Sequence, residues 1–324
     1  MASQAYREFL DLIKRKAFAE AASLAERNSM MHADEDVFWL TQQAVALNRA
    51  RHFDRAGSVA EKALKLAPHS QYALLAKADA CLGAAKVDEA LTCYEEVLAS
   101  RDTNLGVRSR KGILECLVHV RNWTRILECL AEWNLPAATA VRWRVKAFIG
   151  LGMEDEALGA CQEWLRSSPD NPQALWELTR LEVAREGLEA VRVRFGRLAR
   201  IPSRPPVYRE IYASLCRRAG KIEEAVGQYE KLTAAGGDVR IQRKQAFALA
   251  KAGQEMEAIP VMEELLRVDP RDFYLHSAYK AACRRVHDLE RARRFYQELT
   301  ISHPDEKALY GSLRRINREL EAKA

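Results

Sequence analysis

Seven histidines, seven cysteines and a surplus of arginine and lysine are the side chains of this sequence with the means to do chemistry. A metal site or an acid–base pair needs such groups to converge, and a helix supplies that most simply at an i, i+4 spacing or in an HExxH pattern. His32, His52, His69, His119, His276, His287 and His303 contain neither arrangement. Exposed or turn positions are expected for them, with no metal and no cofactor. Cys81, Cys93, Cys116, Cys129, Cys161, Cys216 and Cys283 are odd in number, contain no CxxC pair and lie within apolar helical patterns. Buried free thiols are the expectation. Gly150, Gly152 and Gly159 are spaced as turn and helix glycines, not as a loop that cradles phosphate. Catalysis therefore has no residues to stand on, and the chain is expected to act by binding.

The elements that must position any binding residues are helices. Ala, Leu, Glu, Arg and Lys dominate, with 15 Gly and 10 Pro spread thinly over 324 residues, a composition that favours helices joined by short turns. The net charge of +6 permits acidic partners without demanding nucleic acid. Arg7, Glu8, Asp11, Lys14, Arg15 and Lys16 interrupt the N-terminal segment where a signal peptide would need an apolar run. No stretch is apolar for the 18 or so residues that a membrane helix requires. A soluble cytoplasmic chain is expected.

Alignment on one recurring phrase, a small residue followed about four later by an aromatic or apolar one, exposes a period. Ala22, Ala56, Ala90, Thr124, Ala157, Ala190, Ala225, Ala258 and Ala292 occupy the small slot and step by 33 to 35 residues. Each anchor sits early in an amphipathic segment and is preceded by another, so the unit is a helix, a tight turn and a helix. Twelve residues before the anchor stand Ala44, Ala78, Gly112, Ala213 and Ala246, small enough to let two helices approach. Pro68, Pro136, Pro169 with Pro172, Gly236–Gly237, Pro270 and Pro304 separate units, because proline lacks the amide hydrogen a helix needs.

These features resemble the tetratricopeptide repeat family, whose 34-residue unit has small residues at both slots, an aromatic after the second and a closing proline. The resemblance implies an all-α fold, a right-handed superhelical solenoid of about nine helix-turn-helix repeats over residues 3–304. Residues 305–324 read as a C-terminal capping helix that covers the last apolar surface. The stiff IPSRPP stretch at 201–206 is expected to introduce a local kink, since the period resumes in register beyond it.

In this family the first helices line a concave groove, through slots 18, 15, 14, 11, 8 and 7 residues before the anchor. Over nine units those slots hold 15 Lys or Arg and 5 Asp or Glu. The excess lies late, in Arg142 and Lys146, Arg217 and Arg218, Arg240, Arg243, Lys244 and Lys251, then Arg284 and Arg285, with Glu182 and Glu210 as the acids of that stretch. Trp143 and Trp176 fall in corresponding slots and would add apolar anchors. Tyr94, Tyr229 and Tyr296 share a slot after the anchor and are expected to pack between helices, as are Trp39, Trp123, Trp133 and Trp164.

The reading is a scaffold or adaptor, in an assembly, secretion or envelope-related complex of a bacterium, that binds an acidic or C-terminal segment of another protein through this face. Binding of RNA or another polyanion is the alternative that the basic face leaves open. A basic helix face that is merely solvated remains the plainer account of the charge. Asn48 with Arg49 is the one Asn–basic neighbour pair in the inward slots, so a clamp for a terminal carboxylate is not expected. Tyr6, Phe9, Leu10 and Ile13, at the open end of the stack, offer an apolar surface for a second copy.

Overall fold

The computed structural model describes residues 4–31, 36–100, 103–133 and 135–322. Ser3, where the first unit was expected to start, His32, and the last two residues of the expected cap lie outside them. Every regular element among the described residues is a helix, and α1 to α18 follow one another in nine pairs. These are α1 (Gln4–Lys14) with α2 (Phe18–Met31), α3 (Asp36–Arg49) with α4 (Phe53–Leu66), α5 (Gln71–Gly83) with α6 (Val87–Ala99), and α7 (Thr103–His119) with α8 (Trp123–Glu132). The series continues with α9 (Ala137–Leu151) and α10 (Glu154–Ser167), α11 (Pro172–Glu186) and α12 (Leu188–Leu198), α13 (Pro206–Arg218) and α14 (Ile222–Ala234). It closes with α15 (Val239–Lys251) and α16 (Glu255–Val268), α17 (Phe273–Arg285) and α18 (Leu289–Ser302), and the single helix α19 (Lys307–Glu321).

The helices end by a shared device. In eight pairs the first helix stops at a residue in the left-handed region: Lys16, Arg51, Ala85, Arg121, Gly152, Gly220, Gly253 and His287, with φ between 55° and 78°. The amide of the following residue then donates back to the carbonyl five positions earlier, as in Lys86 to Cys81 at 2.8 Å and Asp288 to Cys283 at 2.9 Å. This satisfies carbonyls that a helix end leaves bare. Five of the eight are not glycine, so each bears a steric cost of about 1–2 kcal/mol that the flanking helices must hold in place. Several first helices begin at side-chain caps, including Ser70, Asn171, Asp238 and Asp272, whose oxygens accept the amide three residues on.

The small-residue slots are buried where the helices cross. Ala56, Ala90, Ala157, Ala225, Ala258 and Ala292 are all fully buried, and so are Ala44, Ala78, Ala213 and Ala246. Two anchors differ from the sequence reading. Thr124 and Ala190 are exposed, and the buried positions are Ile126 and Val191, each at 0 %. The slot is defined by what lies beneath the first helix and not by size alone, so a β-branched residue fills it in α8 and α12. A Cβ on Gly112 would come within 2.4 Å of the Tyr94 ring, which explains why that helix carries glycine at its crossing.

The chain divides into two compact units, Met1–Ala160 and Cys161–Ala324. Residues 201–206 lie inside the second, between α12 and α13, which pack directly on each other. In the first unit Phe9 is buried against Trp39 with their rings 6.4 Å apart, so of the expected apolar end only Leu10 is clearly exposed, Tyr6 and Ile13 being half-covered. Tyr94, Tyr229 and Tyr296 are buried, as are all seven cysteines. Burial raises the thiol pKa, to about 11 at Cys81, Cys116 and Cys283 and about 12 at Cys161.

His276 departs from the expectation of an exposed or turn position. It is buried, with Nε2 2.9 Å from the Pro270 carbonyl and Nδ1 2.8 Å from the Tyr296 hydroxyl. A carbonyl can only accept, so Nε2 carries the proton and Nδ1 accepts from Tyr296. Burial, opposed by the Pro270 carbonyl and aided by the charge of Lys280, holds the imidazole below its usual pKa and therefore neutral.

Candidate functional site

The residues that could receive a ligand lie on the first helices of the second unit. Lys244 on α15 places its Nζ 5.1 Å from the ring centre of Trp176 on α11, and also 2.6 Å from Glu210 on α13. Three successive first helices thus converge through one side chain, with one repeat lying between those that carry Lys244 and Trp176.

Beside Trp176 an open cleft of about 260 Å³ is lined by Trp176, Glu177, Thr179, Arg180, Ser214, Leu215 and Arg218. Its volume suits one or two side chains of a peptide and falls below that of a drug-sized pocket. Trp176 is half-buried and packs on the unit's core, so the ring is fixed while one part stays open. Arg180 is held 3.2 Å from Glu177, whereas Arg218 is exposed and, among the described residues, has no ion-pair partner.

Half of the ten basic side chains singled out in the sequence are matched by acids about one repeat away. Arg240 and Lys244 share Glu210, Arg243 donates to Asp272 at 2.6 Å, Arg285 to Glu255 at 2.8 Å, and Arg284 to Glu319 at 2.8 Å. Arg243 also lies over Phe247, 5.2 Å from its ring centre. Burial alone would push the Glu210 carboxyl up, but hydrogen bonds from Arg240 and Lys244 outweigh it and hold the group below the ordinary carboxylate range. Asp272 and Glu255 are likewise lowered, Asp272 against its own burial, by Arg243 and Arg285. Arg217, Arg218 and Lys251 remain exposed without an ion-pair partner among the described residues. The face is therefore far less positive than a count of its side chains suggests.

Trp143 has a different place. At 3 % exposure it belongs to the core of the first unit, with Arg142 and Lys146 lying over its ring at 4.7 and 5.1 Å. The expectation that it lines a groove alongside Trp176 is corrected, for a reason of register. With Val191 as the sixth anchor, Trp176 stands fifteen residues before its anchor and Trp143 fourteen before Ala157. One residue is about 100° around a helix, so the two rings point in different directions, and Trp143, although in an expected groove slot, is covered by the first unit's core. Glu177 and Arg180 line the cleft, where the sequence reading had Glu182. In the first unit Asn48 donates to the Ala76 carbonyl at 2.8 Å, which ties its amide to the neighbouring helix.

A sequence signal for the neutralising acids does exist. Glu210 precedes Arg240 by 30 residues and Lys244 by 34, and Asp272 follows Arg243 by 29, all close to one period. Thr179, Ser214 and Leu215 carry no comparable mark.

Paired helices stacked at a fixed period, with first helices converging on one side, define a helical-repeat protein. Residues 41–104 match the family model of the tetratricopeptide repeat. No curated protein matches the chain. Among solved structures, the tetratricopeptide domain of P58(IPK) is 16 % identical over 99 % of this chain and 98 % of its own, with a TM-score of 0.31. A tetratricopeptide repeat protein of Parabacteroides merdae is 14 % identical over 87 % and 99 %, with a TM-score of 0.39. MamA of Desulfovibrio magneticus, from its residue 41 onward, is 16 % identical over 53 % and 98 %, also at 0.39. The assignment rests on the family match and on the periodic helix pairs, not on these overlays. Repeats of this kind are protein-interaction scaffolds. No described helix is long and apolar enough to cross a membrane.

Proposed function

We propose that the chain is a non-catalytic scaffold that holds an extended, acidic segment of another protein across α11, α13 and α15. The observation that carries this reading is the cleft beside Trp176, where an apolar wall and the unpaired Arg218 adjoin. An aliphatic or aromatic side chain of the segment would enter against Trp176 and Leu215. Its acidic neighbours would meet Arg218 on one side and the Arg240–Lys244 pair on the other, where a guanidinium offers carboxylates a rigid donor fork.

The tracking of a phosphate backbone is less well supported. It needs a row of free cations, and Arg240, Arg243, Lys244, Arg284 and Arg285 already face carboxylates. The test is a fluorescence anisotropy titration with a labelled twelve-residue peptide of alternating glutamate and leucine, and its lysine counterpart. The acidic peptide is expected to bind, more weakly as salt rises from 0.05 to 0.5 M, and the basic one not to bind. Equal binding of the two would contradict the proposal.

A further inference from the structure

Glu210 stands out on the inner face. It is a carboxylate only 5 % exposed, on the surface where the proposed ligand would lie, and it already occupies the position of an anion. Arg240 reaches it with two nitrogens, one of them 2.9 Å from Oε2, and the Lys244 ammonium reaches Oε1 at 2.6 Å. Both cations come from α15, and both keep an open side, the Arg240 side chain being 57 % and that of Lys244 29 % exposed. Lys244 in addition rests on Trp176.

Two cations share this one buried carboxylate, and the other acid near them, Asp238, is exposed and 3.9 Å from Arg240, where solvent screens it, so the buried part of the cluster keeps a single surplus positive charge beside the cleft. We infer that Glu210 is a specificity-determining residue, an internal anion that leaves this cluster able to accept one ligand carboxylate and too weakly charged to retain a polyphosphate. The inference rests on the reading of the face as a site for an acidic segment. Physically, Glu210 does two things. It holds Arg240 and Lys244 in place, so a ligand does not bear the cost of ordering two long side chains. It also cancels half of their charge, which lowers the non-specific attraction that every polyanion would feel.

The isosteric Glu210→Gln exchange separates these effects, because an amide oxygen still accepts from Arg240 and Lys244 while the charge is gone. The two cations can hydrate through their open sides, so the helices should keep their packing. With the labelled glutamate–leucine peptide at 0.1 M salt, Glu210→Gln is expected to bind roughly ten-fold more tightly than the parent, the scale of one more charged hydrogen bond. It should also acquire measurable affinity for a ten-nucleotide single-stranded RNA. Arg240→Gln, which leaves Lys244 and Glu210 as a neutral pair, should bind the peptide roughly ten-fold more weakly.

Glu298→Gln is the control, since it removes the same charge from α18, where Glu298 pairs with Arg267. Its peptide affinity should equal the parent's. Peptide binding by the parent that Glu210→Gln leaves unchanged or weakens, with an unaltered circular dichroism melt, overturns the inference alone. A gain equal to that of Glu298→Gln overturns it as well, by reducing it to net charge. Failure of both parent and Glu210→Gln to bind the peptide overturns the underlying reading and this inference together.

Discussion

Replacement of Trp143 by alanine is expected to destabilise the first unit by about 3–5 kcal/mol, the range for removing a large aromatic side chain from a packed core. The ring is 3 % exposed and sits among Leu114, Leu117, Ile126 and Ala147 in one apolar cluster. Little can move in to fill the space, because its neighbours lie on helices fixed by their own crossings. Arg142 and Lys146 would also lose the aromatic face on which they rest. Against a typical stability of about 5–15 kcal/mol this is a large fraction. Since repeat arrays draw their stability from neighbouring units, urea unfolding followed by circular dichroism should show an early transition confined to part of the helix signal. A loss below about 1 kcal/mol would return Trp143 to the surface.

Trp176→Ala should do the reverse, leaving the fold and removing binding. The side chain is half-buried, and its open part forms a wall of the cleft and a platform for Lys244. A central aromatic anchor typically contributes 2 kcal/mol or more to an interface, so affinity for the glutamate–leucine peptide should fall by roughly thirty-fold or more. The change in stability should stay near 1 kcal/mol, because part of the ring already faces water. Trp176→Phe should recover part of the affinity, as a smaller ring still fills the cleft. An unchanged peptide affinity in Trp176→Ala would place the binding surface elsewhere.

The contrast between two tryptophans shows what a sequence of this kind discloses. The period is legible because the crossing of two helices demands small or well-fitted side chains, and Ala56, Ala90, Ala157, Ala225, Ala258 and Ala292 all meet that demand at 0 % exposure. It fails at Thr124 and Ala190, where Ile126 and Val191 fill the gap. A register error of one residue was enough to make Trp143 and Trp176 look equivalent. Prolines marked the breaks between units and Gly152 a turn within one, whereas Arg51 and Ala85, which adopt the same left-handed conformation as Gly152, carry no such mark.

Charge was the least legible property. Counts over slots treat each side chain as independent, yet Arg243 has its partner 29 residues later and Arg285 has one 30 residues earlier. Ion pairs between neighbouring units convert an apparent basic stripe into an internal ladder. What remains free, Arg217, Arg218 and Lys251, is a short basic group near the C-terminal ends of α13 and α15. Helix dipoles favour cations at such ends for structural reasons as well, so binding has to be measured at the cleft and not inferred from the charge.

Hydrogen-exchange mass spectrometry of the full chain, with and without the glutamate–leucine peptide, tests the central claim most directly. Amides of α11, α13 and α15 should gain protection on binding, most of all around Trp176 and Arg218, while those of α12, α14 and α16 should exchange as before. Protection confined to the second helices, or to the first unit, would contradict the account.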